Sequence, residues 1–214
     1  MNIKFFNVAL GIALTTTTLS ASAQKSYTNG TLNMSTTGPQ GPIEAKTYFT
    51  PDSAAITFEA GPAKIKVLKD NKDTYFAVIV DVSQFNVRKA GIATPAEVEE
   101  MVSAYPKLTF APTSEAKQIS GFNCKKVVAT DAKGTKYDVW ITNDISLPKG
   151  VIPVYYAAIG GVPVQYTSFA QGQSASVTLN GVSDEAAPAG TFGIPKDFDK
   201  MTLEELKAMQ GGGQ

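Results

Sequence analysis

Ile43-Glu44-Ala45-Lys46-Thr47-Tyr48-Phe49-Thr50-Pro51-Asp52-Ser53-Ala54-Ala55-Ile56-Thr57-Phe58-Glu59-Ala60-Gly61-Pro62-Ala63-Lys64-Ile65-Lys66-Val67-Leu68 holds three runs rich in β-branched and aromatic residues. They are Ile43 to Thr50, Ala54 to Glu59 and Ala63 to Leu68, separated by Thr50-Pro51-Asp52 and by Gly61-Pro62. Branched and aromatic side chains suit a pleated surface, whereas Pro, Gly and Asp suit tight turns, so each run reads as a strand. Connections this short join antiparallel neighbours, which predicts a meander.

The same pattern continues on both sides. Further strands are predicted at Thr31 to Thr36, Thr74 to Val82, Lys107 to Ala111, Gln118 to Ala129, Lys136 to Thr142, Val162 to Ala170 and Ser174 to Asn180. Turn residues fall between them at Gly38-Pro39-Gln40-Gly41-Pro42, Asp70-Asn71-Lys72-Asp73 and Asp131-Ala132-Lys133-Gly134. Two helices interrupt the strands. Thr94-Pro95-Ala96-Glu97 supplies an N-cap, a proline at the first helical position and the glutamate of a capping box. Val98, Met101, Val102 and Tyr105 then form one apolar stripe before Pro106 ends it, so this helix is expected to lie against the sheet. Thr202-Leu203-Glu204-Glu205 opens a second, with Met201 and Leu206 placed for a hydrophobic staple. Residues 24–210 are read as one domain, and 211–214 (Gly211-Gly212-Gly213-Gln214) as a disordered tail.

Two strands carry apolar bulk on both faces. Tyr137, Val139 and Ile141 point one way and Trp140 the other, while Phe76-Ala77-Val78-Ile79-Val80 is apolar throughout. Such strands are buried on two sides or line a cavity on one. A sheet curled around helices and a two-layer sandwich both satisfy this, and periodicity alone does not choose.

The beginning of the chain reads as an export signal. Lys4 is its only charge, an apolar run follows from Phe5 to Leu14, and Ala21-Ser22-Ala23 places small residues where a signal peptidase cuts. A signal peptide over residues 1–23, cleaved after Ala23, predicts a periplasmic or secreted protein. The apolar run is far shorter than the roughly 20 residues a bilayer requires, so no transmembrane anchor is expected. No cysteine follows the run to take a lipid. The chain has 19 basic and 19 acidic residues, and losing Lys4 leaves one net negative charge. This near-neutral chain, without long basic runs, has no electrostatic footprint for nucleic acid or an anionic membrane surface.

Chemistry is sparse. The sequence contains no histidine, which removes the usual general base near neutral pH and the commonest metal ligand. Cys124 is the only cysteine, so no internal disulfide forms, no thiolate-rich zinc site exists, and a free buried thiol is expected. No G-x-G-x-x-G opens a helix and no phosphate-binding G-K-[ST] occurs. Ser114-Glu115-Ala116-Lys117 has the S-x-x-K spacing of penicillin-recognising enzymes, but it lies in a connection between strands and lacks the companion motifs, so it reads as coincidence. Asp70, Asn71 and Asp73 lack the glycine and distal glutamate of an EF-hand and read as a solvated hairpin turn. Asp52-Ser53-Ala54 resembles a short bacterial O-glycosylation signal, and a plain turn explains it equally well. No enzyme activity, cofactor or metal is expected.

Ile119-Ser120-Gly121-Phe122-Asn123-Cys124-Lys125-Lys126, a polar turn, and then Tyr137-Asp138-Val139-Trp140-Ile141-Thr142-Asn143-Asp144-Ile145 resemble the DUF4412 family and the related GLPGLI proteins of Gram-negative bacteria. Gly160-Gly161-Val162-Pro163-Val164-Gln165-Tyr166 and Gly193-Ile194-Pro195-Lys196-Asp197-Phe198 resemble that family's later segments. The Gly-Leu-Pro-Gly-Leu-Ile core of the GLPGLI group is absent, so DUF4412 is the closer comparison. The resemblance implies a mainly β (α+β) fold: an antiparallel half-open β-barrel of about ten strands, with a central helix and a short C-terminal helix, similar to the lipoprotein carriers LolA and LppX. It implies a concave face lined by Phe76, Val78, Val80, Met101, Phe122, Val139, Trp140 and Tyr166, although side chains of this kind also fill cores by default. Two functions follow as expectations. One is a non-enzymatic periplasmic protein that binds or carries a lipid, a lipidated peptide or another hydrophobic ligand. The other is a structural or protein-interaction module of the cell envelope, docking an envelope protein through a strand edge or through the apolar segment Val151 to Ile159. That segment reads as a gate over a cavity, a partner site or a buried strand.

Overall fold

Turn chemistry closes the hairpins at the expected places. Gly61 has φ +57°, and Gly134 has φ +84°. In the computed structural model, which describes residues 24–38, 41–170 and 172–211, these turns join strands of one large sheet. The strands are β1 (Lys25–Ser26), β2 (Gly30–Gly38), β3 (Gly41–Phe49), β4 (Ser53–Ala60), β5 (Ala63–Asp70), β6 (Phe76–Val82) and β7 (Val87–Ile92). After helix α1 (Pro95–Ser103) come β8 (Thr109–Ile119), β9 (Phe122–Thr130), β10 (Lys136–Thr142), β11 (Ile145–Ser146), β12 (Val162–Ala170), β13 (Gln173–Ser183) and β14 (Asp199–Thr202). Helix α2 (Leu203–Gly211) follows.

Twelve strands pair in the order β14-β7-β6-β5-β4-β3-β2-β13-β12-β10-β9-β8, and β1 pairs with β11 apart from them. The sheet is mainly β as expected, but it is mixed and does not close into a barrel. The pairing of β14 with β7 is parallel, and so is that of β1 with β11. The parallel edge has a chain-path cause. After β13 the backbone crosses the outer face, where Phe192, Ile194 and Phe198 pack on Ala55, Leu68, Ala77, Ile79 and Ala90. It then runs alongside β7, where Lys89 and Asp199 pair at 2.7 Å and Arg88 and Asp197 at 2.7 Å.

Three sequence expectations need correction. The Gln118-to-Ala129 strand is broken at Ser120-Gly121, whose φ values of +50° and +85° meet the type I′ requirement of positive φ at both central residues. Ile119 and Phe122 therefore face each other across a two-residue hairpin. Ser114 to Lys117 lie within β8, beside its register shift between Pro112 and Ala116, rather than in a connection. The Asp70-to-Asp73 turn is also more than a solvated loop. Asp70 accepts from the Thr74 and Tyr75 amides at 2.8 and 3.1 Å, and Asn71 Nδ2 donates to the Thr50 carbonyl at 3.0 Å.

Both helices begin as expected. The Thr94 hydroxyl accepts from the Glu97 amide while the Glu97 carboxylate accepts from the Thr94 amide at 2.7 Å. Thr202 and Glu205 repeat the arrangement. Helix α2 runs one residue past the expected 210 boundary, so Gly211 belongs to the helix rather than to the expected tail. Residues 212–214 and the leader 1–23 lie outside the described residues. No helix among the described residues is long and apolar enough to cross a membrane.

Gly91 explains how α2 reaches the sheet edge. A Cβ there would lie 2.8 Å from Leu206 Cβ and 3.2 Å from Leu203 Cα, and both leucines are buried. Gly91→Val is expected to lower stability by about 2 kcal/mol through overpacking. Limited proteolysis should then release the α2 end first, and an unchanged digestion pattern would contradict this packing.

Candidate functional site

Strand alternation sends every second residue of β2 to β6 to the inner face, and cross-strand register stacks those residues in rungs. Gly30, Phe49, Ala54, Lys69 and Phe76 align in one rung. Leu32, Thr47, Ile56 and Val67 form the next, Met34, Ala45 and Phe58 another, and Thr36 with Ile43 the last. Helix α1 lies over this face with Val98, Met101 and Val102 turned inward, Tyr105 follows just past its end, and the segment from Leu147 to Tyr155 forms the facing wall. Between them is a cavity of about 410 Å³. Its surface is mostly aliphatic and aromatic, and β12 and β13 complete it with Val162, Tyr166, Phe169, Val177 and Leu179.

Segment Val151 to Ile159 is neither a strand nor a free loop. Its short 3₁₀ turn, Val154–Tyr156, inserts Tyr156 completely into the interior, where Val127, Ala129, Val139 and Ile141 surround it. The Tyr156 hydroxyl donates to the Thr167 carbonyl at 2.8 Å. Tyr155 accepts from the Phe169 amide at 3.1 Å, and its ring centre lies 5.1 Å from that of Tyr105. The segment is thus core at Tyr156 and Ile159 and cavity wall at Ile152 and Tyr155. Val154 and Tyr75, which are 40 % and 39 % exposed, border the cavity at its rim.

The expected lining divides accordingly. Phe76, Met101 and Tyr166 do line the cavity. Val78 packs in the small cluster of Val98, Ala93 and Leu203 that joins α1 to α2, and Val80 is buried further along β6. Val139 lies in the core around Tyr156. Phe122 packs against the core near Cys124, and so does Trp140, with Lys117 Nζ 4.1 Å from its ring centre. Neither of these two lines the cavity. Periodicity marked the two-sided strands correctly, since the inner face of β6 meets α1 while Ala77 and Ile79 meet the outer crossing. It could not say which strands curve beneath the helix.

Polar groups in the cavity are few. Lys69 donates to the Gly150 carbonyl, and burial pushes its pKa down against the opposing charges of Asp73 and Asp70. Thr47 is 4 % exposed and its Oγ1 has no hydrogen-bond partner among the described residues. Burial pushes the Tyr155, Tyr156 and Tyr166 hydroxyls above the ordinary tyrosine value of 10.0. Cys124 is a free, buried thiol, its pKa raised by burial, and it packs behind the lining in the cluster of Leu32, Val162 and Leu179. Among the described residues no group of three His, Cys, Asp or Glu side chains is placed to hold a metal ion.

The family described as "Domain of unknown function (DUF4412)" matches residues 28–149. No curated protein matches the chain. Among solved structures, one of PNGF-II is similar at 17% identity and TM-score 0.47, covering 85% of this chain and 32% of that one. The present chain thus spans about a third of that protein. The complex of MucA and MucB from Pseudomonas aeruginosa is similar at 7% identity and TM-score 0.43, covering 80% of this chain and 57% of that one.

The buried tyrosines set an alkaline limit. Their folded pKa values lie above the unfolded one, so the unfolded chain loses these protons first as pH rises and the neutral forms favour folding only below that range. Stability is expected to be insensitive to these groups below pH 10 and to fall above it. Denaturant titrations at pH 8 and pH 11, with tyrosinate absorbance recorded in parallel, check this. Tyr156→Phe should separately cost about 1 kcal/mol at neutral pH for its lost hydrogen bond.

Proposed function

This chain belongs to the DUF4412 family, and from its interior we propose that it is a non-enzymatic binding protein that holds an apolar ligand, a lipid or a lipid-bearing peptide, in the bacterial periplasm. The cavity between β2–β6, α1 and the Leu147-to-Tyr155 wall carries this reading. Pockets that hold small ligands typically measure about 300 to 1,000 Å³ and are mostly apolar with a few polar groups, and this one has that character. Apolar surface left facing such a space gains its transfer free energy when an apolar guest replaces water, at roughly 25 cal/mol per Å². The address follows from Lys4, the Phe5-to-Leu14 run and Ala21-Ser22-Ala23. The lack of histidine and of a metal-binding cluster among the described residues favours holding over catalysis.

Protein purified from its own periplasm should carry a copurifying lipid mass in native mass spectrometry, and delipidated protein should bind a fluorescent fatty acid saturably. Met101→Trp, which places a larger side chain in the cavity, is expected to weaken that binding at least tenfold. Met209→Trp, on the exposed face of α2, should leave it unchanged. Absence of both a copurifying mass and saturable binding would overturn the reading.

A further inference from the structure

Among the described residues Lys69 is the one lysine or arginine that lines the cavity, and its position is unusual. Its strand places it in the rung with Ala54 and Phe76, at the end of the cavity bordered by Tyr75 and by Asp73. The other rungs lead away from it toward Thr36 and Ile43. Along β3 the distance from Phe49 to Ile43 is six residues, roughly 20 Å of strand. The charged side chains that line the cavity, Lys69 and Asp73, thus lie at one end, with a mostly apolar floor beyond them.

The cation is poorly compensated. One of its donors reaches the Gly150 carbonyl, and among the described residues no carboxylate lies within 4.0 Å of Nζ. Asp70 is occupied by the Thr74 hydroxyl and the Thr74 and Tyr75 amides. Asp73, which lines the same cavity, opposes the desolvation of Lys69 more than Asp70 does but forms no ion pair with it. A partly desolvated ammonium with free donors is costly unless an anion meets it. Gly150 is held in place by contact with Asn71, since a Cβ on it would lie 2.6 Å from Asn71 Cα. The carbonyl that orients Lys69 is therefore fixed by the packing of two turns.

Resting on the binding function proposed above, we infer that the cavity takes a single-chain anionic amphiphile, with its acid group on Lys69 Nζ and its chain running beneath α1 along the rungs of β2 to β5. The acid group, carboxylate or phosphate, accepts charge-assisted hydrogen bonds from the two Nζ donors that Gly150 leaves free. The aliphatic floor accepts the chain. A volume of about 410 Å³ suits one chain better than two.

Displacement of a fluorescent fatty acid from the delipidated full mature chain tests this, with palmitate, hexadecyl phosphate and hexadecanol as competitors below their aggregation thresholds. Either or both anions should displace the probe at concentrations at least tenfold lower than hexadecanol, and the tighter of the two identifies the acid group. In Lys69→Met this preference should vanish while hexadecanol binding persists, and Lys69→Arg should retain it. Equal displacement by hexadecanol and both anions in the unaltered protein overturns the inference even if the variants fail to fold. An anion preference that survives in folded Lys69→Met does so as well. If none of the three competes and the probe itself does not bind, the cavity reading fails rather than the assignment of the headgroup.

Discussion

Tyr156 is the contact on which the inner side of this sheet depends. It is completely buried, its ring lies against Val139 and Ile141 of β10 and Val127 and Ala129 of β9, and its hydroxyl is satisfied by the backbone of β12. A buried phenol without a partner would be costly, so the hydrogen bond to Thr167 fixes both the depth and the direction of insertion. Because Tyr156 is anchored, Tyr155 is held beside Tyr105 and Phe169, and the Leu147-to-Tyr155 wall stands over the strands. The cavity is the space that this insertion leaves unfilled.

The outer side is covered by different means. A sheet with apolar residues on both faces must bury both, and here the crossing from β13 to β14 supplies the second layer through Phe192, Ile194 and Phe198. Lys66 fastens it by donating to the Gly193 carbonyl at 2.9 Å. After β14 the chain turns onto the inner face, where α2 is seated over Gly91 beside α1. With the outer face closed, the inner face does not need to be filled to hold the fold together. This permits a cation such as Lys69 and an unpartnered hydroxyl such as Thr47 to persist inside. Either would be costly in a filled core.

Strands with strong alternation and clear turns were legible. The Lys136-to-Thr142 and Val162-to-Ala170 readings coincide with β10 and β12. Those that escaped are short, polar or defined only by distant partners. Strand β7 contains Arg88, Lys89 and Gly91, and its charges are explained by aspartates about 110 residues later. Strands β1, β11 and β14 are two to four residues long and exist because of parallel pairing that no local pattern records. The Ser120-Gly121 hairpin was hidden because serine at positive φ is uncommon, and only the following glycine signalled it.

The sequence by itself determined a mainly β chain with two capped helices, one free thiol, no histidine and strands apolar on both faces, because these follow from composition and local periodicity. The tertiary structure alone decided that Phe76, Met101 and Tyr166 face a cavity while Val139 and Trp140 do not. Alternation states which side of a strand a residue takes, but it carries no information about what a distant segment places over that side. It could not foresee Lys69 for the same reason. A lysine near a strand end ordinarily reads as solvated, and only the approach of Gly150 from the other half of the chain encloses it.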